Sequence, residues 1–146
     1  MDTLDAHALP EGALILLDSA PIIYVLEGKQ ALAARYTPLF DRHDAGTLRL
    51  AVSTITIAEV LAGPIKAGAE ALAKRYRAAL ESLTVVSLDA DIAESAARLR
   101  GKYGLKLPDA IQLASAIAIN ADALVTHDRD FRNVKGMRVL GCVGRM

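Results

Sequence analysis

The stretch LPDAIQLASAIAINADALVT, residues 107–126, combines a helical pattern with a short apolar run. Pro108 and Asp109 predict the start of a helix, because proline is tolerated in a first turn and a carboxylate is favoured at the positive end of a helix. The helix predicted over residues 109–119 is apolar nearly all round, so we expect it to be buried against a sheet. Asn120 is its expected end, and the run Ala123–Thr126 is a buried strand of that sheet.

The same alternation of apolar runs and helical patterns continues through most of the chain. Four further runs predict buried strands: Ala13–Leu17, Leu50–Ser53, Val85–Leu88 and Met137–Leu140. Helical spacing predicts helices over residues 69–83 and 92–103. Asp89 is the expected N-cap of the second of these helices, and Gly104 is its expected stop. Strands that alternate with helices favour a mainly parallel sheet, covered on both faces and built from right-handed crossovers.

The length of 146 residues fits one domain. We place this domain at residues 13–146, after an N-terminal extension of residues 1–12 to which the sequence assigns no role. Between Gly28 and Arg49 the pattern is weak: residues 31–35 look helical, and Pro38 is expected to interrupt the helix.

Composition narrows the cellular setting. A single cysteine, Cys142, excludes an internal disulfide framework and suits a reducing compartment, where it is expected to be a buried or bystander thiol. The first residues lack the basic start of a secretion signal. No run approaches the roughly 18 apolar residues that a membrane span needs. We therefore expect a soluble, cytoplasmic protein without a membrane partner.

Four acidic residues stand at the ends of predicted elements. Asp18 directly follows the first strand, Glu59 lies about a helical turn beyond the second, and Asp128 lies two residues past the fourth. Asp109 begins the helix that precedes the fourth strand. Ligands of open parallel sheets bind beyond the carboxyl ends of the strands, so we expect the four carboxylates at one rim.

Each acid has an ordinary structural alternative when it is taken alone. Asp18 could cap a helix and Asp128 could close a turn. Asp109 could serve only the helix dipole, and Glu59 could be a solvated helix residue. The joint placement favours a metal site, because clustered carboxylates resist ionisation unless a cation lies among them.

Mg²⁺ or Mn²⁺ suits such a group of carboxylates, and it could also lower the pKa of a bound water and shield a phosphate. Zinc is not expected, since the three histidines are scattered and one cysteine cannot complete a structural site. His127, beside Asp128, could touch a substrate, although a packing or surface role is favoured for it.

Four pieces of sequence carry a resemblance to a known family: LDS at residues 17–19, VSTITIAEVLAG at 52–63, LPDA at 107–110 and LVTHDRDF at 124–131. Over about residues 13–140 the chain resembles the PIN-domain family, and most of all its VapC-type toxins. The second and fourth pieces are specific, whereas the first alone would be weak.

The resemblance implies a three-layer α/β/α sandwich with a mainly parallel central sheet. It also implies Mg²⁺-dependent endonucleolytic cleavage of RNA, which a metal-activated water would carry out, as the toxin of a type II toxin–antitoxin pair. A cognate antitoxin that blocks the acidic cleft, and a homodimer, are further implications.

The four acids of the family match Asp18, Glu59, Asp109 and Asp128 of this chain. Among them, Asp18, Asp109 and Asp128 are expected to bind the metal directly, and Glu59 through water. Two polar positions that support the metal site match Ser19 and Thr126. One departure is that Ala20 and Pro21 stand where many relatives continue with Asn and a further residue. The missing amide could weaken the positioning of substrate or carboxylate, but it removes no acid.

Seventeen basic and seventeen acidic residues leave no net charge, so a field that attracts nucleic acid has to be local. Two basic segments are candidates for holding phosphates: Arg98, Arg100, Lys102 and Lys106, and then Arg129, Arg132, Lys135, Arg138 and Arg145. An ordinary solvated face is an equally good interpretation of both segments.

Other functions fit the residues less well. A haloacid-dehalogenase-like phosphatase requires a second Asp two positions after Asp18, where Ala20 stands, and a phosphoacceptor receiver requires an Asp where Ser53 stands. The alternative that stays open is a PIN-like binding module, which acts mainly through antitoxin association and autoregulation with little nuclease activity. The presence of all four acids argues against an inactive site.

Overall fold

The computed structural model describes residues 1–141, and the interpretations of Cys142 and Arg145 concern positions outside this range. Its strands are β1 (Asp2–Thr3), β2 (Ala13–Leu17), β3 (Leu48–Ser53), β4 (Thr84–Val86), β5 (Ala123–Thr126) and β6 (Val139–Gly141). Its helices are α1 (Ser19–Glu27), α2 (Gln30–Asp44), α3 (Thr54–Lys66), α4 (Glu70–Glu81), α5 (Ala90–Tyr103) and α6 (Leu107–Ala118). A short 3₁₀ helix spans Arg129–Phe131.

The strands form one sheet in the order β1-β6-β5-β2-β3-β4, and every neighbouring pair is parallel. Strand β2 lies near the centre, where Leu16 is in register with Ala51 of β3 on one side and with Leu124 of β5 on the other. The expectation of a mainly parallel sheet is confirmed. The carboxyl ends of β2, β3 and β5 therefore meet at one rim, next to the loops and helix starts that follow them.

Helices cover both faces of the sheet, which gives the three layers that the resemblance implies. On β2, Ile15 and Leu17 face one core and Leu16 faces the other, as the alternation of side chains along a strand requires. Residues of α1 to α4 complete the first core: Ile22, Tyr36, Leu39, Val60 and Leu80. Residues of α5 and α6 complete the second: Ile92, Ala96, Ala110, Leu113 and Ala114.

Helix α6 is buried along most of its length. All its residues from Asp109 to Ala116 are buried, which confirms the expectation from its apolar composition. The preceding helix begins and ends as expected: Asp89 Oδ1 accepts a hydrogen bond from Ile92 N at 2.8 Å, and Gly104 has a left-handed φ of 68°.

Residues 1–12 are part of the packed structure. Asp2 and Leu140 are in register, and Leu4 N donates to Gly141 O at 2.9 Å, so this segment adds an edge strand to the sheet. The Arg42 guanidinium holds the rest of the segment, donating to the carbonyl oxygens of Ala6 at 3.0 Å and of Leu9 at 2.7 Å.

The expected interruption at Pro38 is wrong, because α2 continues through it to Asp44. A proline removes one backbone donor from a helix interior. Ala33, Tyr36 and Leu39 are buried on both sides of this position, and the packing of Tyr36 and Leu39 in the core keeps the helix in place. Among residues 1–141, no helix is both long enough and apolar enough to cross a membrane.

Candidate active site

A cavity of about 770 Å³ opens at the rim where β2, β3 and β5 end. All four acids from the sequence contribute to it. Its walls consist of Asp18, Ser19, Ala20, Ile23, Glu59, Asp109, His127, Asp128 and Arg129. Four separate connections between strands deliver these residues, so the fold concentrates negative charge at one place.

Asp18 sits at the junction of β2 and α1, where its carboxylate is fixed on both oxygens. Oδ1 accepts from Ser19 N at 2.7 Å, and Oδ2 accepts from the Thr126 hydroxyl at 2.8 Å. Its own backbone N–H donates to Val125 O at 2.9 Å, which ties it to β5. Burial raises the pKa of Asp18, and the charges of Glu59 and Asp128 add to this effect, while the two hydrogen bonds oppose it.

Asp109 lies in the first turn of α6 and is only 8% exposed. Its Oδ2 is buried and has no hydrogen-bond partner among the described residues. Burial, followed by the negative charges of Asp128 and Asp18, raises the pKa of Asp109 to about 7. A buried carboxylate oxygen without a donor is unfavourable unless a proton or a cation satisfies it.

Asp128 and Asp130 lie in the turn after β5. Asp128 Oδ1 accepts from Asp130 N at 2.8 Å and caps the short 3₁₀ helix, while Asp128 N donates to Thr126 Oγ1 at 3.0 Å. Asp109, Asp128 and Asp130 each place a carboxylate oxygen within 4.8 Å of those of the other two. Among the described residues, this is the group of acids close enough to share an ion.

The grouping differs in one member from the sequence expectation. Asp130 belongs to the close group, although it is not among the four acids expected from the sequence. Its signal was its position two residues after Asp128, in a turn that brings the two carboxylates together. Asp18 lines the same cavity but lies outside the close group, with its oxygens engaged by Ser19 and Thr126.

Glu59 reaches the cavity from α3 and is exposed to solvent. The Ser19 hydroxyl lies 2.5 Å from Glu59 Oε1 and donates to it. Ser19 and Thr126, the two expected supporting residues, are both buried and both contact an acid of the cavity. Ala20 also lines the cavity.

His127 forms part of the cavity wall and is held by two tyrosines. Its Nδ1 lies 3.0 Å from the hydroxyl of the fully buried Tyr36. The Tyr24 ring packs against it edge-on, with centroids 5.3 Å apart. The favoured packing role is therefore present, and the same ring is available to a molecule in the cavity.

The donor set of the cavity fits a hard divalent cation. The acids offer carboxylate oxygens, and one of these oxygens, Asp109 Oδ2, is buried without a hydrogen-bond partner in the part of the chain that the structure describes. Mg²⁺ and Mn²⁺ prefer such oxygen ligands, together with water and phosphate. These residues therefore fit the metal that the fold family implies.

The basic segments next to the site are partly paired with acids. Arg98 contacts Glu94 at 3.1 Å, Lys106 contacts Asp130 at 3.8 Å and Arg138 contacts Asp2 at 3.8 Å. All three pairs are exposed, where an ion pair is weak and a competing phosphate can displace it. Arg129 is the basic residue of these segments that lines the cavity itself.

Known proteins of the same fold share this arrangement of elements. The family model of the PIN domain matches residues 15–137. A chain of a toxin–antitoxin complex from Klebsiella pneumoniae is 30% identical, with a TM-score of 0.70 over 90% of this chain and 99% of that one. A comparison with curated protein sequences gave no significant match.

More distant structures share the fold. One is VapBC2 from Rickettsia felis bound to a promoter DNA fragment, with 21% identity and a TM-score of 0.71 over 88% of this chain and 98% of that one. Another is the sarcin-ricin loop cleaving toxin VapC20 from Mycobacterium tuberculosis, with 15% identity and a TM-score of 0.65 over 81% of this chain and 92% of that one. The match of the family model over most of the sequence, on a parallel sheet with an acidic cavity at its carboxyl rim, shows that this chain belongs to the PIN-domain family.

Proposed function

We propose that this protein is a metal-dependent endoribonuclease and the toxin of a type II toxin–antitoxin pair. One observation carries the proposal: the four acids expected from the sequence line a single cavity, in which a buried Asp109 oxygen has no partner within residues 1–141. A structural role for each acid separately gives no reason for that convergence. The likeness to a chain of a toxin–antitoxin complex, and to a toxin that is described as cleaving the sarcin-ricin loop, supports the same function.

The residues suggest how Mg²⁺ or Mn²⁺ is held. Asp109 and Asp128 bind it directly, with Asp18 and the neighbouring Asp130 completing the negative site, and Glu59 acts through water. When bound, the ion supplies a water of lowered pKa and shields the charge of the phosphodiester. Ser19 and Thr126 already fix both oxygens of Asp18, so its carboxylate is held in one orientation at the wall of the cavity.

The walls of the cavity suggest how RNA lies there. Arg129 on the rim can contact a phosphate. The exposed Lys106 can leave its ion pair with Asp130 and bind a phosphate in its place. Ile23, Ala20 and the fixed ring of His127 form a less polar wall beside the acids. A nucleotide next to the scissile phosphate could rest on this wall, because bases pack well on flat or apolar side chains.

A cognate antitoxin and a second copy of the chain are the proposed partners, in the cytoplasm. An apolar depression of about 380 Å³ lies between α1, α3 and α4, lined among others by Leu26, Pro64, Leu72 and Tyr76. Ile65 beside it is 50% exposed. A surface of this kind suits the apolar side of a partner helix, and the partner could also deliver a basic side chain to the acids. Light scattering at tens of micromolar tests the homodimer, and co-purification from the native operon tests the antitoxin.

Cleavage mapping on total cellular RNA tests the proposed activity. The purified chain is incubated with RNA and Mg²⁺, and the new ends are sequenced. Matched reactions contain a chelator, the Asp128→Asn variant, or Asp91→Asn, which removes an exposed acid of α5 far from the cavity acids in sequence. We expect discrete new ends with the wild type and Asp91→Asn only. If the folded wild type produces no ends with either metal, the binding-module alternative replaces the proposal.

A further inference from the structure

A chain of buried polar side chains runs from β3 through α6 and α3 to the cavity. Ser53, Thr56 and Gln112 are each at most 1% exposed, and none of them is among the site residues expected from the sequence. Ser53 Oγ donates to Gln112 Oε1 at 3.2 Å, and Gln112 Nε2 donates to Thr56 Oγ1 at 2.8 Å. Thr56 Oγ1 lies 3.1 Å from Ser19 Oγ, which is itself 2.5 Å from Glu59 Oε1.

The chemistry of these groups determines the direction in which the hydrogen bonds of this polar chain donate. The Ser19 hydroxyl has one proton, and it donates this proton to Glu59 Oε1. The Thr56 hydroxyl is then the donor in its bond with Ser19, while it accepts from the Gln112 amide. Every link therefore donates toward Glu59, and hydrogen bonds aligned in this way polarise and strengthen one another in a buried setting.

Helix α6 connects the buried polar chain with the acids of the cavity. Gln112 follows Asp109 by three residues, about one helical turn, so one helix supplies an acid of the cavity and the amide of the buried chain. Glu59 differs from Asp109 in being exposed on its own helix, where an unrestrained Glu side chain samples several rotamers. The hydroxyl of Ser19 is the contact that restrains it.

We propose that Gln112 and Thr56 are positioning residues that hold Glu59, through Ser19, in the orientation that cleavage needs. The inference rests on the proposed nuclease function. The role of the buried polar chain is then to orient Glu59, and not only to stabilise the core. An apolar set of side chains of similar volume would fill this space without any polar group to satisfy.

The test compares cleavage by Thr56→Val, Thr56→Ser and Gln112→Met on an RNA oligonucleotide that contains a mapped cut site. Thr56→Val keeps the shape and removes the hydroxyl, and Gln112→Met keeps the length and removes the amide. We expect kcat to fall about 10-fold in both, with KM unchanged, as for other residues that orient a metal-site group. Thr56→Ser should recover most of the rate.

The matched control is Ser115→Ala, on the same helix α6. Ser115 is fully buried like Gln112, but its hydroxyl donates to Ile111 O of its own helix at 2.7 Å and is not bonded to the chain that ends at Glu59. Its cleavage rate should equal that of the wild type. If Ser115→Ala lost as much cleavage rate as Gln112→Met, general destabilisation of α6 would explain both losses, and the proposal would be overturned.

A double-mutant cycle shows whether the effect passes through Glu59. In a Glu59→Gln background, Thr56→Val and Gln112→Met should lower the residual rate no further, because the group that they position is already lost. Effects that multiply in full would mean that the residues act independently, which contradicts the inference.

Crystal structures of Gln112→Met and the wild type separate this inference from the proposed function, since they need no cleavage. The inference predicts that the Glu59 carboxylate leaves Ser19 Oγ in the variant. An unchanged Glu59 would overturn it even if the wild type cleaves RNA. A displaced Glu59 would support it even if the wild type cleaves none of the RNA offered.

Discussion

The two sides of the acidic cavity differ in how their carboxylates are bonded. Asp18 and Glu59 accept hydrogen bonds from Ser19 and Thr126, which are buried polar residues of the fold. Asp109 has a buried oxygen without a partner among the described residues, and its pKa is raised to about 7. The first side is ordered by the protein alone, whereas the second is incomplete until a cation or a proton reaches it. One wall of the site therefore holds its carboxylates by hydrogen bonds, and the other wall needs positive charge to neutralise its carboxylates.

Asp109→Asn should have the largest effect, because it changes the side that we propose to hold the cation. We expect cleavage to fall on the order of 10³-fold, at the upper end of the loss for an electrostatic element of a site. Calorimetric titration with Mn²⁺ should show weaker binding than in the wild type. Equal affinity in the two proteins would remove Asp109 from the metal site. Asp91→Asn, which neutralises an exposed acid of α5, is the control for the loss of one charge.

Asp18→Asn alters the side that the protein itself orders, and its effect should be somewhat smaller, about 10²-fold in rate. The amide keeps an acceptor for Ser19 N, so the start of α1 should persist. Loss of a carboxylate that is repelled by Glu59 and Asp128 should raise the melting temperature without metal. The rate is measured at saturating Mg²⁺, with thermal melts alongside. A folded variant that cleaves RNA as fast as the wild type would show that Asp18 is not needed.

Thr126→Val tests how far the orientation of Asp18 depends on the Thr126 hydroxyl. The fully buried Thr126 donates to Asp18 Oδ2 and accepts from Asp128 N, so it joins the two walls. We expect the rate to fall about 10-fold and stability to fall by about 1–3 kcal/mol, because buried partners are left unsatisfied. Thr126→Ser keeps the hydroxyl and is the matched control. If valine and serine variants cleave equally, the hydroxyl does not position Asp18.

The smallest expected effect is on the pH dependence of stability. The pKa of Asp109 is about 7 in the folded protein against 3.8 for an ordinary Asp, so the folded state binds the extra proton between these values. Stability without metal should therefore fall as the pH rises from about 4 to about 7, through this group. In Asp109→Asn this contribution disappears, with melting temperatures differing by on the order of a few degrees across the range. Melts in a chelator, from pH 4 to pH 8, measure the difference between the two proteins.

Added Mg²⁺ should reverse this trend. It competes with the proton at Asp109, so its stabilising effect should be larger at pH 8 than at pH 5. An equal shift at both pH values would contradict the link between the raised pKa and the metal.

The sequence alone predicted five of the six strands, the helices α4, α5 and α6, and the segments that meet at the rim of the sheet. Local patterns suffice for this, since an apolar run or a helical face depends on residues close together in the chain. The same reasoning marked Asp18, Glu59, Asp109 and Asp128 as neighbours, because the ends of parallel strands share one edge. The PIN-domain resemblance, which rests on the same segments, is confirmed. The catalytic role of these acids stays a prediction that the variants above test.

Only the tertiary structure decided which side chains bond to one another. Gln112 and Thr56 lie 56 positions apart, and nothing near either residue in the sequence indicates that they meet. The closeness of Asp130 to Asp109 likewise depends on a turn of the folded chain. Residues 1–12 gain their strand from an edge that exists only once β6 has formed, and Pro38 stays helical because the core packs around it. Such contacts depend on distances between elements packed together, which the order of residues along one element does not contain.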